Sequence, residues 1–407
     1  MKRINLEIKA LSPLAIGRQK PGGSVSEAES YIPGSVIRGA IAAVILKWAN
    51  TSISDGDNFH ELFLGENPAI FQNAYSANIK VQSEVRVLPV TALSSKNKPG
   101  FKSKPDDPKH NGVFDTLIDH FCAEGFGHLY DPNCPVDGGR VDVFTSFYQI
   151  QDKYYSNSAS TRLLTRVGIN RRRATSEERV LYSLEVLNES QDHQDKPVIY
   201  TGGIFAPDDL AESLQVFIDN HQEDLRLGGA TSRGLGRVKI TAKLPVEIKP
   251  RVTNQIKQFN DKLHQRWHEW KNIFGNPIKD LPKNRVYFTL DLQADTILSE
   301  NWRRTTVISP EMLQELTGVT DSSLELHAAY NSYDYRSGWN SAWGLMKDVE
   351  LVTNKGSVYL FSTSHEDLWI KALEDLEVKG IGDRTCEGFG QVEVCNEFHN
   401  VFRENAK

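Results

Sequence analysis

Hydrophobic and polar positions alternate at the start of the chain, where Ile4, Leu6 and Ile8 are separated by Asn5, Glu7 and Lys9. A period of two predicts a half-buried strand over Arg3 to Leu11. A loop rich in Gly, Pro and Ser follows (GRQKPGGSVSEAES), and then YIPGSVIRGAIAAVILKWAN. Pro33, Gly34 and Ser35 supply turn and N-cap chemistry there, and the apolar run from Val36 to Trp48 predicts a buried helix. From about Val85 to Arg173 the pattern breaks into short pieces between KNKPGFKSKPDDPKHNG and YDPNCPVDGGRVD, which predicts a large insertion carrying loops rather than a second core. Pattern returns at VLYSLEVL and at a helix candidate over Pro207 to Asn220. Ile256, Phe259, Leu263, Trp267, Trp270 and Phe274 then recur every three or four residues, the spacing of a connecting helix with one aromatic-rich apolar stripe. A new strand is expected at VYFTLDLQAD, Val286 to Asp295.

Two stretches resemble each other. LRLGGATSRGLGRVKI (Leu225 to Ile240) and VKGIGDRTCEGFGQVEV (Val378 to Val394) each follow a helix candidate, crowd glycines and basic residues into a loop, and run into a Val-rich strand. Aligned on Gly234-Leu235-Gly236 and Gly388-Phe389-Gly390, they also match Gly228 with Gly382, Thr231 with Thr385 and Val238 with Val392. Both halves open with an alternating strand and close with helix, glycine loop and strand, which is the mark of a duplicated unit. The expected fold is therefore α+β: two tandem ferredoxin-like (RRM-type, βαββαβ) units with glycine-rich loops. The first spans 1–245 with an insertion at about 85–180, a connecting helix occupies 246–284, and the second unit spans 285–407.

The chain has 407 residues, 39% hydrophobic and 25% charged, with a formal net charge of -6. A net acidic protein is not a nonspecific nucleic-acid coat, so any polyanion site must be a local basic patch. No stretch of about 18 apolar residues occurs, so no membrane span is expected. The basic N-terminus is not followed by the apolar run of a signal peptide. Four cysteines are too few for a disulfide framework at this length, and a reducing, cytoplasmic setting is expected.

In the glycine loops, Gly228, Gly229, Gly234 and Gly236 would let backbone N–H groups approach phosphates closely, with charge from Arg226, Arg233 and Arg237 in the first loop and from Lys379 and Arg384 in the second. The alternative is a tight helix-to-strand connection that needs only backbone freedom. Neither loop matches a nucleotide fingerprint, because no G-x-x-x-x-G-K-[ST] run is present and the glycines precede a strand instead of opening a helix. No cofactor is expected.

SPLAIGRQKPGGS, YIPGSVIRG, LFLG…FQNAY, RVGINRRRATSEERVLYSLEVL, LRLGGATSRGLGRV, GWNSAWGLMK and GIGDRTCEGFGQV occur in order over most of the chain. Together they resemble the RAMP superfamily of CRISPR-associated proteins, and more narrowly the Csx-ten family, a Cas-five-like subunit of type III-D effector complexes. The resemblance implies a noncatalytic RNA-binding subunit. It would hold the 5′ handle of a CRISPR RNA and join the large signature subunit to the backbone RAMP subunits, with the small subunit and target RNA as further and indirect partners and no membrane. Local chemistry is compatible with that. Arg18 and Lys20 lie on a loop, and Ser35 and Arg38 lie at the start of a helix whose free N–H groups favour phosphate; a carboxylate partner for Arg38 is the alternative. Arg166, Arg171, Arg172 and Arg173 form the strongest basic run, and three adjacent arginines cannot all enter a core. The resemblance assigns this stretch to a thumb-like projection that grips the guide backbone. Tyr330, Tyr333, Tyr335, Trp339 and Trp343, with Arg336 among them, are candidates for base stacking or for core packing.

Two catalytic routes are open to relatives that cleave RNA. His60 is the candidate for a general acid or base, and Asp106 and Asp107 in KPDDPKH are candidates for organising a divalent metal; solvated surface roles are the competing reading. His120, Cys122, His128 and Cys134 could supply four zinc ligands, but the spacing is loose and ordinary buried thiols are the default. Of the two glycine loops, the first, with its three arginines, is expected nearer to RNA. The second, which interleaves Asp383 and Glu387 with Arg384, is expected to serve fold or subunit contact.

Overall fold

A computed structural model of the chain describes residues 1–18, 27–49, 57–78, 81, 83–170, 175–191, 196–282, 284–340 and 344–407. The alternating start forms β1 (Lys2–Ala10), with Ile4, Leu6, Ile8 and Ala10 buried and the intervening polar residues half-buried. The helix α1 (Gly34–Ala49) puts Ile37, Ile41 and Val44 into the same core, the i, i+4, i+7 stripe of a helix lying on a sheet. A short helix α2 (Asn58–Phe63) and a strand β2 (Ile70–Phe71) follow. Next comes the insertion, with helix α3 (Leu117–Gly125) and a long hairpin of β3 (Thr161–Asn170) and β4 (Thr175–Leu187). The unit closes with β5 (Ile199–Ala206), α4 (Ala211–Asn220) and β6 (Val238–Ala242). Its sheet runs β6-β1-β5-β2, every neighbour antiparallel.

The second half repeats this plan. After α5 (Val252–Phe274) come β7 (Val286–Leu292), a short hairpin of β8 (Leu298–Glu300) and β9 (Arg303–Thr305), α6 (Pro310–Thr317) and β10 (Glu325–Tyr330). A second long hairpin, β11 (Tyr333–Asn340) and β12 (Leu345–Thr353), precedes β13 (Val358–Thr363), α7 (Glu366–Lys379) and β14 (Val392–Val394). The sheet order is β10-β13-β7-β14, again antiparallel throughout. Each unit thus places its first and third strands at the centre, and each extends the link between its second and third strands into a hairpin.

The two sheets differ in what covers them. Along β1 only alternate residues are buried, so one face carries Arg3, Asn5, Glu7 and Lys9 at the surface, joined by Thr241 and Lys239 of β6. In β7 burial is continuous from Tyr287 to Leu292, the pattern of a strand covered on both faces. One cover is α7, whose Trp369 packs near Phe288. The other is α5, whose predicted stripe of Ile256, Phe259, Leu263, Trp267 and Trp270 is buried. Asn260 ties it to the strand, donating from Nδ2 to the Tyr287 carbonyl at 2.7 Å and accepting from the Tyr287 N–H at 2.9 Å. The helix expected to connect is therefore part of the second core.

The insertion also departs from expectation. It contributes Leu117, Ile118, Cys122 and Ala123 of α3, and Phe126 just after it, to the core shared with α5 and the second sheet. A separate small core joins its Leu88, Phe101, Phe114 and Tyr148 to Phe398 and Val401 of the C-terminal tail. The pieces are too short for periodicity to show this, because Phe398, Val401 and Ala406, which complete the small core, lie about 250 residues or more further along the chain.

The tail is held by an ionic contact. His399 is fully buried, with Nδ1 at 3.1 Å from Asp115 of the insertion and Nε2 at 2.7 Å from Asp291 of β7. Burial alone would push its pKa down, but Asp291 and Asp115 overcome this and raise it to about 10. A group whose folded pKa is raised contributes stability that is fully present below its unfolded value, about 6.5, and is lost as pH rises through the folded one. Urea midpoints of the wild-type protein are expected to fall between pH 7 and pH 10. H399Q should flatten that slope and lower stability at pH 7 by about 3–5 kcal/mol, the cost of leaving two buried carboxylates unpaired.

Candidate nucleic-acid interface

The two glycine loops fold into the same turn, residue for residue. A single 3-10 turn occupies Thr231–Arg233 in the first and Thr385–Glu387 in the second. Each is entered through a left-handed non-glycine residue, Ala230 or Arg384, and left through a left-handed glycine, Gly234 or Gly388. Gly229 N–H donates to the Ala15 carbonyl at 2.8 Å, and Asp383 N–H donates to the Ile297 carbonyl at 2.9 Å. Gly236 donates to Pro13, and Gly390 to Asp295, at 2.9 and 3.0 Å. A Cβ on Gly228 would lie 2.5 Å from the Ala15 carbonyl oxygen, and one on Gly382 would lie 2.2 Å from that of Ile297. The glycines therefore let the loop pack against the chain leaving the unit's first strand, which is the backbone need weighed from sequence.

What covers each loop separates them. Arg233, Gly234 and Arg237 of the first are exposed. Arg233 donates through Nη1 to the Tyr182 hydroxyl, and its guanidinium lies 5.5 Å from that ring centroid. Tyr182 is on β4, opposite the exposed Arg166 of β3. The loop and the hairpin thus present Arg166, Tyr182, Arg233 and Arg237 on connected surface. Arg226 turns back to the carbonyls of Glu223 and Leu225 at 2.5 and 2.8 Å.

The second loop is clasped by the first unit. Asn73 accepts from Gly34 N–H at 2.9 Å and donates to the Gly388 carbonyl at 3.0 Å. Arg384 pairs with Glu387 at 2.5 Å and lies 4.9 Å from the Phe389 ring centroid. Lys347 also reaches Glu387, at 3.3 Å. This loop serves contact within the chain, between units.

The remaining candidates are dispersed. Arg18 pairs with Asp334 of β11 across the units. Beside it Arg336 does not join a stacking cluster but turns inward to Glu29 and Asp295. Arg18, Arg336 and Lys355 line a cleft of about 330 Å³ between the units, with Phe147 and Ser332. Arg38 donates to the Phe63 carbonyl at 2.5 Å and lies over that ring, so its partner is a backbone oxygen rather than a carboxylate. Ser35 lies in the first turn of α1, where the Gly34 N–H is taken by Asn73. Tyr333 and Tyr335 are exposed and meet edge to face at 6.3 Å, whereas Tyr330 is half-buried near His120. Lys20, Arg171, Arg172, Arg173, Trp343 and the side chain of Trp339 lie outside the described residues.

His60 sits in α2, its backbone N–H capped by Asp57 at 2.7 Å. Asp107 closes a turn, accepting from the Ser103 N–H, the Ser103 hydroxyl and the Lys109 N–H at 2.7 to 2.8 Å, which holds its carboxyl well below the usual range. Asp106 is exposed beside it. Among the described residues no three His, Cys, Asp or Glu side chains converge as a metal ion would need. The proposed zinc ligands diverge. Cys122 is buried in the α3 core, which pushes its thiol pKa up, while His120 meets the Tyr130 ring and His128 the Phe274 ring. Residues two apart on α3 face different sides, so His120 and Cys122 do not share one.

Neither Asn73 nor Tyr182 is identifiable from sequence. Their partners are distant along the chain, and no local spacing marks them. No described helix is long and apolar enough to cross a membrane.

A family model described as the RAMP superfamily matches residues 7–239. No curated protein matches the chain. Among solved structures the chain is similar to a subunit of the type III-B Cmr-beta complex bound to cognate target RNA and AMPPnP, at 12% identity, with 90% of this chain and 88% of that chain covered and a TM-score of 0.43. It is similar to one from the same complex bound to cognate target RNA, at 12% identity, 88% and 86% coverage and a TM-score of 0.41. A chain of the apo Cmr-beta complex matches at 15% identity, with 59% and 96% covered and a TM-score of 0.30.

Gly234 and Gly388 occupy the same turn position at φ 85° and 93°, but a Cβ on Gly234 meets open space while one on Gly388 would lie 2.6 Å from the Asn73 side chain and 2.9 Å from the Phe71 carbonyl. G234A is expected to cost about 1–2 kcal/mol, the left-handed penalty alone. G388A should cost about 2–4 kcal/mol by adding a steric conflict. Urea unfolding of the two variants side by side measures the difference.

Proposed function

Because the chain belongs to the RAMP superfamily, we propose that it is a noncatalytic RNA-binding subunit of a type III CRISPR ribonucleoprotein effector. In this reading it holds the 5′ handle of the CRISPR RNA and joins the large signature subunit to the backbone subunits. The observation that carries the proposal is the joined surface of Arg166 and Tyr182 on the long hairpin with Arg233 and Arg237 on the exposed glycine loop. Guanidinium groups meet phosphates there, and an aromatic face is available to a base. In the sequence, Arg171, Arg172 and Arg173 lie between the paired Asn170 and Thr175, outside the described residues.

Two finer assignments go with it. Each unit is ferredoxin-like, supported by the shared 4-1-3-2 strand order and the shared glycine turn. The Csx-ten family of type III-D complexes is favoured by the ordered motifs of the sequence. RNA would engage the first unit most closely, since among the described residues β1 and β6 keep a polar face and its glycine loop is the more exposed of the two.

The test is binding of labelled repeat RNA to the purified protein, with and without Mg²⁺. R166E/R233E and R171E/R172E/R173E should each weaken binding at least about tenfold at low salt. Each should also flatten the dependence of log affinity on log salt, by about 0.7 for every phosphate that is no longer neutralised. Unchanged affinity in both variants would replace this reading with that of a protein-only assembly subunit. Specific cleavage abolished by H60A or D107A would make the protein a ribonuclease.

A further inference from the structure

The short hairpin after the first strand of the second unit ends in a tryptophan that nothing in the fold explains. β8 and β9 are joined by Asn301 and Trp302 alone, with φ of 48° and 64°. Two positive φ values in a two-residue hairpin loop define a type I′ turn, whose preferred sequence is Asn-Gly. Trp302 stands where glycine would be free of strain, and its side chain is fully exposed at 103%. It therefore carries a left-handed backbone penalty and leaves a large apolar ring in water. Backbone outliers kept under such conditions point towards function.

The surroundings narrow the ligand. Beside the turn lies a depression of about 430 Å³ lined by Glu300, Asn301, Arg303, Arg304 and Thr305, all polar. An anchor for a protein pocket would sit in an apolar patch, whereas a base-stacking platform needs only a free π face and a nearby cation. Arg304 is occupied, pairing with Asp383 of the second glycine loop at 2.5 Å and with Glu350 of β12 at 2.7 Å. Those contacts fix the base of the hairpin. Arg303 is exposed, with no ion pair among the described residues, and is available to a phosphate.

Position supports the same chemistry. The Ile297–Asp383 bridge that precedes this hairpin matches the Ala15–Gly229 bridge of the first unit. There the next residues, Gly17–Arg18, pair with Glu27–Ala28. The duplicated fold thus presents an equivalent excursion from each unit, one carrying Arg18 and the other Trp302.

We propose that Trp302 is a stacking platform for one unpaired RNA base, with Arg303 contacting the adjoining phosphate. This rests on the RNA-binding reading above and adds the second unit to the RNA path. The experiment compares wild type, W302G, W302F and R303E of the full chain for binding of a labelled single-stranded RNA containing the repeat-derived handle, alongside thermal melts. W302G restores Asn-Gly to the turn, so its melting temperature should be no lower than wild type while its affinity falls about 5- to 100-fold. W302F should stay within about threefold, and R303E should weaken binding and reduce its salt dependence. Wild-type affinity in W302G would overturn the proposal and leave the first-unit interface standing. Loss of co-assembly with the other effector subunits at unchanged RNA affinity would overturn it in favour of a protein anchor. A wild-type protein that binds no RNA would overturn both readings.

Discussion

Burying the carboxylate of Asp295 between the two sheets would be prohibitive if donors did not meet it from several sides. Arg336 pairs with it at 2.5 Å, Lys355 approaches with its backbone N–H at 3.0 Å and its ammonium at 3.8 Å, and the Tyr31 hydroxyl lies at 3.3 Å. Burial pushes its pKa up, but Lys355 and Arg336 hold it below the usual carboxylate range. Arg336 in turn binds Glu29 of the first unit, so one guanidinium spans both halves. The main chain of Asp295 takes part as well, accepting from Gly390 of the second glycine loop. Side chain and backbone of one residue thereby couple the inter-unit contact to the turn that closes the second sheet. Such a cluster confers orientation more than net stability, because its Coulomb gain is offset by desolvation.

That constraint explains why a duplicated turn has two fates. The first loop and the second make matching hydrogen bonds, so their glycines answer the same steric demand. Only the second is pressed against α1, where Asn73 satisfies Gly34 and Gly388 together. A helix N-terminus is an anion site only while its N–H groups are open. In α1 the Gly34 N–H is occupied by a side-chain oxygen, and Glu387 lies next to it. The clasp leaves Arg233 and Arg237 of the first loop as the exposed basic counterpart.

Legibility from sequence follows the range of the interactions. The β1 alternation, the α5 stripe as far as Trp270 and the matched glycines are set by neighbours within a turn or two and emerge as expected, while Phe274 at the end of the stripe is exposed. The insertion reads as loops in sequence because Phe101, Phe114 and Tyr148 complete their core with Phe398 and Val401 from the chain's other end. The aromatic group around Arg336 resembles a stacking surface because alternation along β11 cannot reveal a carboxylate waiting on another unit. Zinc ligation is suggested by residue types alone, and the helical phase of α3 separates His120 from Cys122. Trp302 carries no periodic signal, since a turn residue is recognised by its φ and not by its spacing.

The two units divide the work through their faces. An antiparallel sheet with one polar face can offer that face to a ligand, whereas a sheet packed on both sides is committed to the core. The first sheet is of the former kind along β1 and β6, where Lys9 and Lys239 pair, whereas β5 is buried over most of its length. The second is of the latter kind because α5, together with α3 of the insertion, occupies the face that its partner leaves open. A second unit sealed in this way can reach a polymer only through excursions from its rim. Among the described residues, the hairpins that leave it carry exposed aromatic side chains, Tyr333 and Tyr335 on one and Trp302 on the other. Two sheets of the same strand order thus end with different surfaces, one with a polar face along β1 and β6 and one with hairpins projecting from its rim, and the buried carboxylate lies between them.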